Sequence, residues 1–193
     1  MLHLALKKLL NRFGYDIKHL PTDPQIRNKL YLLKKNNIDL IFDVGANLGQ
    51  FARNMRDLGY KKEIVSFEPL PEAFNILSQN TVNDENWKIV NIAIGNFDGE
   101  ITMHIAKNSY SSSILDILPR HIESAPDSIF IDQIKVPIKK VDTIIDQYYE
   151  KGNNLLIKID TQGYERQVFE GSLESLGKVR GFQIELSLTS LYR

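Results

Sequence analysis

The chain has 193 residues, with Lys and Arg (24) balanced by Asp and Glu (24), and it contains no cysteine. That length suits one α/β domain with a full core, the zero net charge gives no field that argues for nucleic acid as a partner, and the missing cysteines exclude disulfides, thiolate metal sites and a cysteine nucleophile. No apolar run reaches the ~20 residues that cross a bilayer, and a cytoplasmic, reducing compartment is the expectation.

Residues 1–37 are expected to form an N-terminal helical segment and residues 38–193 the main domain. From Met1 to Leu20 the chain carries Lys7, Lys8, Arg12 and Lys18 against Asp16, interleaved with leucines. This reads as a basic amphipathic helix whose leucine face packs on the domain or on a second subunit; the alternative is peripheral contact with an anionic membrane surface. Pro21 and Pro24 separate it from a helix at 25–36, where Ile26, Leu30 and Leu33 recur at helical spacing.

Leu40-Ile41-Phe42-Asp43-Val44, ended by Gly45, suits a strand buried on both faces, and 51–58, closed by Gly59, a helix. The unit repeats, with strand two at 63–68, a helix at 71–80 that has Pro71 in its first turn, and strand three at 88–94. After the turn Asn96-Phe97-Asp98-Gly99, residues 100–105 alternate like a short strand. A long polar connection then runs to about Gln133, the length of a lid or a disordered loop. A helix at 141–150, strand four at 154–160, a helix at 163–176 and strand five at 181–188 complete the reading. Alternating strands and helices predict a doubly wound, mostly parallel sheet.

Ligands of such sheets sit outside the carboxyl ends of the strands. The first turn offers Asp43, Gly45, Asn47 and Gly49, with glycines for close backbone approach and free N–H groups at the helix start as far as Gln50 and Phe51. A carboxylate at Asp43 disfavours phosphate and suits an ammonium. The methionine half of S-adenosylmethionine carries an ammonium for that acid and a carboxylate for the N–H groups. Glu68, followed by Pro69, stands 23 residues beyond Gly45, where an acid can accept from both ribose hydroxyls of this cofactor or of NAD. The dinucleotide pattern G-x-G-x-x-G would need glycine at 47 and 50, and the chain has Asn47 and Gln50. A purely structural glycine turn is the remaining alternative. In the third turn, Asn91 and Ala93 are placed to flank an adenine.

Lys158 lies inside the apolar run of strand four, on the same face as Asp160, and a buried lysine needs a partner. Strand five offers Glu185, so a Lys158–Glu185 pair is expected, either structural or substrate-orienting.

Ile41-Phe42-Asp43-Val44-Gly45-Ala46-Asn47-Leu48-Gly49-Gln50-Phe51-Ala52, Phe67-Glu68-Pro69, Asn91-Ile92-Ala93-Ile94-Gly95 and Leu156-Ile157-Lys158-Ile159-Asp160-Thr161-Gln162-Gly163-Tyr164-Glu165 resemble, in order and spacing, the motifs of the FkbM family of methyltransferases. Ser111-Ser112-Ser113-Ile114-Leu115 stands between the third and fourth. The resemblance implies a class I, Rossmann-like methyltransferase fold, S-adenosylmethionine as cofactor, and methyl transfer to a hydroxyl of a sugar, polysaccharide or polyketide-type product. By position, Asp43, Gly45, Asn47 and Gly49 would hold the methionine end, Glu68 the ribose, and Asn91 with Ala93 the adenine side. Asp160 and Glu165 match the fourth motif, Asp160 for substrate or sulfonium contact; Ser112, Lys158 and Glu165 are assigned to the substrate side.

Removing the hydroxyl proton needs a base, and Asp160, Glu185 and His121 are the candidates. No histidine pair has ligand-like spacing, so no metal is predicted. An NAD-linked oxidoreductase or epimerase, and a truncated non-catalytic binding or assembly module, are the competing readings. The chain stops at Ser190-Leu191-Tyr192-Arg193, just past strand five, so the C-terminal strand pair of the fold is expected to be absent. Strand five would then be an exposed edge or be covered by another chain, as in a homo-oligomer.

Overall fold

A computed structural model describes residues 24–193, with side chains from Asn28 onward. The expected helix at 1–20, with its membrane or subunit contact, lies outside the described residues.

Helix α1 (Pro24–Lys35) leads into strand β1 (Leu40–Val44), all five residues of which are buried. Helix α2 (Gln50–Asp57) returns the chain to β2 (Glu63–Phe67), and α3 (Pro71–Thr81) returns it to β3 (Trp87–Val90). Far along the chain, β7 (Leu155–Ile159) and β8 (Val179–Ile184) complete a five-stranded parallel sheet in the order β3-β2-β1-β7-β8. The chain leaves β1 first toward β2 and later adds β7 on the other side, so the order reverses at β1. That reversal opens a crevice at the carboxyl ends of β1 and β7.

A strand flanked on both sides can bury both faces, and β1 does. On one face Ile41 packs with Leu33 of α1, Ala52 and Met55 of α2, and Leu77 of α3; on the other, Leu40, Phe42 and Val44 pack in the larger core. That second face is covered by a three-stranded sheet in the order β4-β6-β5, formed by β4 (Ala93–Gly95), β5 (Gly99–Ala106) and β6 (Phe130–Lys140), and by α5 (Val141–Ile144) and α6 (Glu165–Glu170).

Several elements differ from the sequence reading. The strand expected at 88–94 breaks at Asn91 and Ile92, so β3 and β4 belong to different sheets. Asn91 holds the break, donating from Nδ2 to the carbonyls of Glu68 (2.8 Å) and Pro69 (3.1 Å). The long polar connection is built of regular elements rather than a disordered loop. It holds α4 (Pro119–Ser124) and turns at Ser109–Ser111 and Pro126–Ser128, and it ends in β6, which pairs antiparallel with β5 along its length. Ile134, Val136 and Ile138 of β6 point inward at every second residue, a strand period that Pro137 and the lysines around it disguise. The helices expected at 141–150 and 163–176 are the short α5 and α6, each continued by a tighter 3-10 turn. Strand five spans 179–184 rather than 181–188, because beyond Glu185 the chain turns back until Tyr192 bridges Ile117. Among the described residues β8 is an edge of the sheet, and no helix is long and apolar enough to cross a membrane.

Candidate active site

A cavity of about 250 Å³ lies at the carboxyl ends of the central strands. Its walls come from the turn after β1 (Gly45, Asn47), the turn after β2 (Glu68, Pro69), the break and β4 (Ile92, Ala93, Ile94), the connection (Tyr110, Ser112), and the ends of β7 and β8 (Asp160, Gln162, Glu185). Seven residues expected at the site therefore line it: Gly45, Asn47, Glu68, Pro69, Ala93, Ser112 and Asp160, with Glu185 an eighth.

Glu68 is buried at the inner end. Its Oε2 accepts from the Asn47 N–H (2.7 Å) and its Oε1 from the Leu70 N–H (2.9 Å), so the second turn is tied to the first. Each oxygen keeps a lone pair for a ligand. Burial, outweighing those two hydrogen bonds, pushes its pKa up to about 7. Asn47 adopts a left-handed φ of 49°, and its Oδ1 accepts from the Leu48 N–H at 2.9 Å.

The glycines of the first turn serve packing. Gly45 has a φ of 73°, and a Cβ there would stand 1.9 Å from the Asp160 carbonyl oxygen. Gly49 has a φ of 82°, and a Cβ there would meet Leu77 and the Trp87 ring at 2.7–2.9 Å. Gly49 does not line the cavity. Three of the N–H groups expected to be free between Asn47 and Phe51 are taken, that of Asn47 by Glu68, that of Leu48 by the Asn47 side chain and that of Gly49 by the Ala46 carbonyl, and those of Gly45 and Ala46 meet the Phe67 carbonyl.

Asp43 is the clearest correction. It is fully buried and turned away from the cavity, on the α2 side of the sheet, where no ligand ammonium reaches it. Its partner is Lys158, at the matching position of β7: the register sets Asp43 beside both Lys158 and Ser66. Lys158 Nζ stands 3.1 Å from Asp43 Oδ1, at an angle that leaves that oxygen without a hydrogen bond, and 3.5 Å from Asp160 Oδ2. It also donates to the Gly45 carbonyl at 3.2 Å and lies over the Phe51 ring at 5.6 Å. On Asp43 Oδ2 the Ser66 hydroxyl donates at 3.1 Å, and Trp87 Nε1 donates to Ser66 at 2.9 Å. A polar chain thus crosses four strands beneath the cavity floor. Burial alone would push the Lys158 ammonium down, but the charges of Asp43 and Asp160 outweigh it and its pKa stands above the ordinary lysine value. The expected Lys158–Glu185 pair is replaced by these contacts, and Lys158 does not line the cavity.

Other expected residues fall outside the cavity. Phe51 faces a separate apolar cleft between α1 and β8, Gln50 donates to the Tyr110 hydroxyl at 3.2 Å, and Asn91 acts on the backbone as described. Glu165 organises the loop after β7, its Oε1 accepting from the N–H groups of Thr161 and Gly163, both at 3.0 Å. His121 lies edge-on to Tyr192 and next to the Ser128 hydroxyl (3.2 Å), its pKa lowered by burial, and lines neither the cavity nor the cleft beside it. Sequence reasoning missed Tyr110, Gln162 and Met103, whereas the third turn, read as an apolar wall, does bring Ile92 and Ile94 to the cavity; Gln162 stood two residues past Asp160 in the fourth motif and was the most accessible of the three to inspection. Among the described residues no group of three or more His, Asp or Glu is arranged to hold a metal ion.

A parallel sheet with an open crevice at its switch point, a carboxylate after β2 and an acid after β7 defines a Rossmann-like methyltransferase architecture. The model of the methyltransferase FkbM domain matches residues 43–193, and the chain belongs to that methyltransferase family. Among similar curated proteins, 2-O-methyltransferase NoeI of Sinorhizobium fredii (strain NBRC 101917 / NGR234) is 26% identical over 197 residues, covering 98% of this chain and 80% of the relative. Methyltransferase sdnD of Sordaria araneosa is 24% identical over 187 residues, covering 86% of this chain and 66% of the relative. No solved structure gives a significant match.

Proposed function

We propose that this methyltransferase takes its methyl group from S-adenosylmethionine and transfers it to a hydroxyl, with a sugar or polysaccharide hydroxyl as the leading acceptor class. The observation that carries the cofactor is the charge of the cavity: its ionisable carboxyls are Glu68, Asp160 and Glu185, and among the described residues no Lys, Arg or His lines it. A dinucleotide would bring a pyrophosphate among those acids without a cation to meet it, whereas S-adenosylmethionine brings positive charge. The activity for which the relative NoeI is named, 2-O-methylation, supports oxygen as the atom methylated.

Bound there, S-adenosylmethionine supplies a methyl group already activated by its sulfonium. The chain's share is to bind, align and remove a proton. Glu68 accepts from the ribose hydroxyls with its spare lone pairs, Ile92, Ala93 and Ile94 form an apolar wall for the adenine, and Asp160 with Glu185 faces the reacting end. Calorimetry tests the assignment: S-adenosylmethionine and S-adenosylhomocysteine are expected to bind and NADH not to. Binding of NADH with neither adenosyl ligand would refute it.

Glu68 gives a sharper test. Its replacement by alanine is expected to weaken S-adenosylhomocysteine by ~1–3 kcal/mol, the loss of charge-assisted hydrogen bonds. Since the ribose hydroxyls favour the charged carboxylate, affinity should rise as pH increases through about 7, with release of a proton, and Glu68→Gln should flatten that profile. In the free protein the sign is reversed. A buried acid whose pKa is raised from 4.5 to about 7 binds its proton more tightly folded than unfolded, so its contribution to stability falls as pH rises through that window.

A further inference from the structure

Asp160, Gln162 and Glu185 line two spaces at once: the cavity described above, and a cleft of about 480 Å³ between the loop after β7 and the returning segment 186–192. The far wall of the cleft is tied down at three points. The Leu118 N–H donates to the Leu191 carbonyl (2.9 Å), the Arg193 N–H to the Asp116 carbonyl (3.0 Å), and the Tyr192 hydroxyl to the Ser111 carbonyl (3.1 Å). Tyr192 also packs so closely on the loop after β7 that a Cβ on Gly163 would stand 2.9 Å from the Tyr192 Cβ. The two spaces meet at the Asp160 carboxyl, which accepts from Gln162 Nε2 at 2.9 Å. A methyl donor in the cavity leaves the cleft for the acceptor.

The chemistry of the cleft is one-sided. Asp160, Glu165 and Glu185 bring three carboxyls to its walls, Ser187, Thr189 and Ser190 bring hydroxyls, and among the described residues no Lys, Arg or His lines it. The adjoining cavity adds the carboxyl of Glu68. Two lysines stand outside these spaces. Lys158 lies beneath the floor, 3.1 Å from Asp43 and 3.5 Å from Asp160, and Lys29 lines the apolar cleft between α1 and β8. S-adenosylmethionine, with one net positive charge, offsets one carboxylate. An acceptor bearing phosphate or carboxylate would enter against the others.

We propose that this cleft is the acceptor site and that it takes a saccharide unit free of acid groups, uncharged or amine-bearing, while rejecting sugar phosphates, nucleotide sugars and uronates. The proposal rests on the reading of this protein as an S-adenosylmethionine-dependent sugar O-methyltransferase. Sugar hydroxyls and ammonium groups donate hydrogen bonds, which carboxylates accept. A phosphate monoester brings further acceptors and about −1.5 to −2 charges near neutral pH. In transfer the acceptor oxygen gains the methyl carbon, the carbon–sulfur bond breaks with its electron pair left on sulfur, and the hydroxyl proton goes to a carboxylate at the junction of the two spaces. The place of this step in a reaction sequence follows from the charge. A sugar still joined to its nucleoside diphosphate is excluded, so methylation comes after glycosyl transfer, the class of reaction that exchanges the pyrophosphate link for a glycosidic bond.

The test is methyl transfer from labelled S-adenosylmethionine at pH 7.5 to hexoses, deoxyhexoses and hexosamines, each offered as methyl glycoside, neutral or amine-bearing oligosaccharide, 1-phosphate and nucleoside diphosphate derivative. At low salt kcat/KM is expected to be at least ~10-fold higher for the glycosides than for the phosphorylated forms. The gap should narrow as ionic strength rises from about 20 mM to about 500 mM, because screening weakens repulsion between charges and leaves shape untouched. Leu188 stands on the cleft wall fully exposed, so Leu188→Lys adds a cation there without disturbing the core. Relative to Leu188→Gln it should favour phosphorylated acceptors over glycosides by about 3-fold. Phosphorylated acceptors used as well as glycosides, a gap that salt leaves unchanged, or equal ratios in the two Leu188 variants would overturn the proposal and leave the sugar methyltransferase reading standing. Binding of S-adenosylhomocysteine with transfer to no saccharide in any form would overturn the proposal and the sugar reading together. Failure of S-adenosylhomocysteine to bind would overturn the cofactor reading beneath both.

Discussion

Gly45→Ala is expected to lower stability by ~2–5 kcal/mol and to abolish binding of S-adenosylhomocysteine, although glycine and alanine differ by one methyl group. Two costs combine. The left-handed φ of 73° penalises any Cβ by roughly 1–2 kcal/mol. The new Cβ would also stand 1.9 Å from the Asp160 carbonyl oxygen, a backbone atom that cannot swing aside, and such overpacking adds roughly 1–3 kcal/mol. Relief requires the first turn and the end of β7 to separate, and these two segments carry Asn47 and Asp160 on opposite walls of the cavity. For a domain of this size each kcal/mol moves the melting midpoint by about 2–4 °C, so a fall of roughly 4–20 °C should appear in a thermal scan. Gly59→Ala is the control, because Gly59 has a comparable φ of 88° but nothing within 4 Å of the new Cβ. It should lose only the conformational part, roughly 1–2 kcal/mol, and keep its ligand affinity. Equal melting shifts for the two variants would show that the close approach to Asp160 carries no energy.

The same turn shows what could be read from sequence and what could not. An apolar run ending in glycine, with an acid after the next strand, identified β1, β2 and the cavity between them, because parallel strands buried on both faces leave continuous apolar runs and place ligands at their carboxyl ends. Glu68, Asn47, Ala93 and Asp160 were legible for that reason, since each stands just after a strand or at its end. Asp43 and Lys158 were misassigned because strand neighbours do not follow from sequence alone. Each is the fourth residue of a five-residue apolar strand, and once β1 and β7 are known to be adjacent and in register the two charges must meet. Lys158–Glu185 was chosen because β8 was the strand next in the chain. β6 was hidden for a different reason: Pro137 and five polar residues lie among its inward positions, and only pairing with β5 makes sense of the alternation.

Lys158→Met is expected to cost ~3–5 kcal/mol in urea unfolding, the usual range for breaking a buried ion pair from one side. The side chain is nearly isosteric in length and as apolar as its surroundings, so lost packing is a small part of that figure. What is left behind is Asp43, fully buried, with Ser66 still donating to Oδ2 and no group at all at Oδ1. Removing that charge as well should recover much of the loss. Asp43→Asn with Lys158→Met should therefore be less destabilising than the sum of the single changes, by about 2 kcal/mol or more, because partners in contact couple. Additive single effects would mean that the two charges are not joined in solution. Function separates from stability in the double variant. Lys158 also donates to the Gly45 carbonyl and stands beside Asp160, and a methionine does neither. The double variant should thus fold well and still bind S-adenosylmethionine at least ~10-fold more weakly, a loss of about 1.4 kcal/mol. Affinity restored along with stability would reduce Lys158 to a neutraliser of Asp43. Affinity lost from a stable fold would instead make the polar chain beneath the sheet the device that holds Gly45 and Asp160 on either side of the cavity.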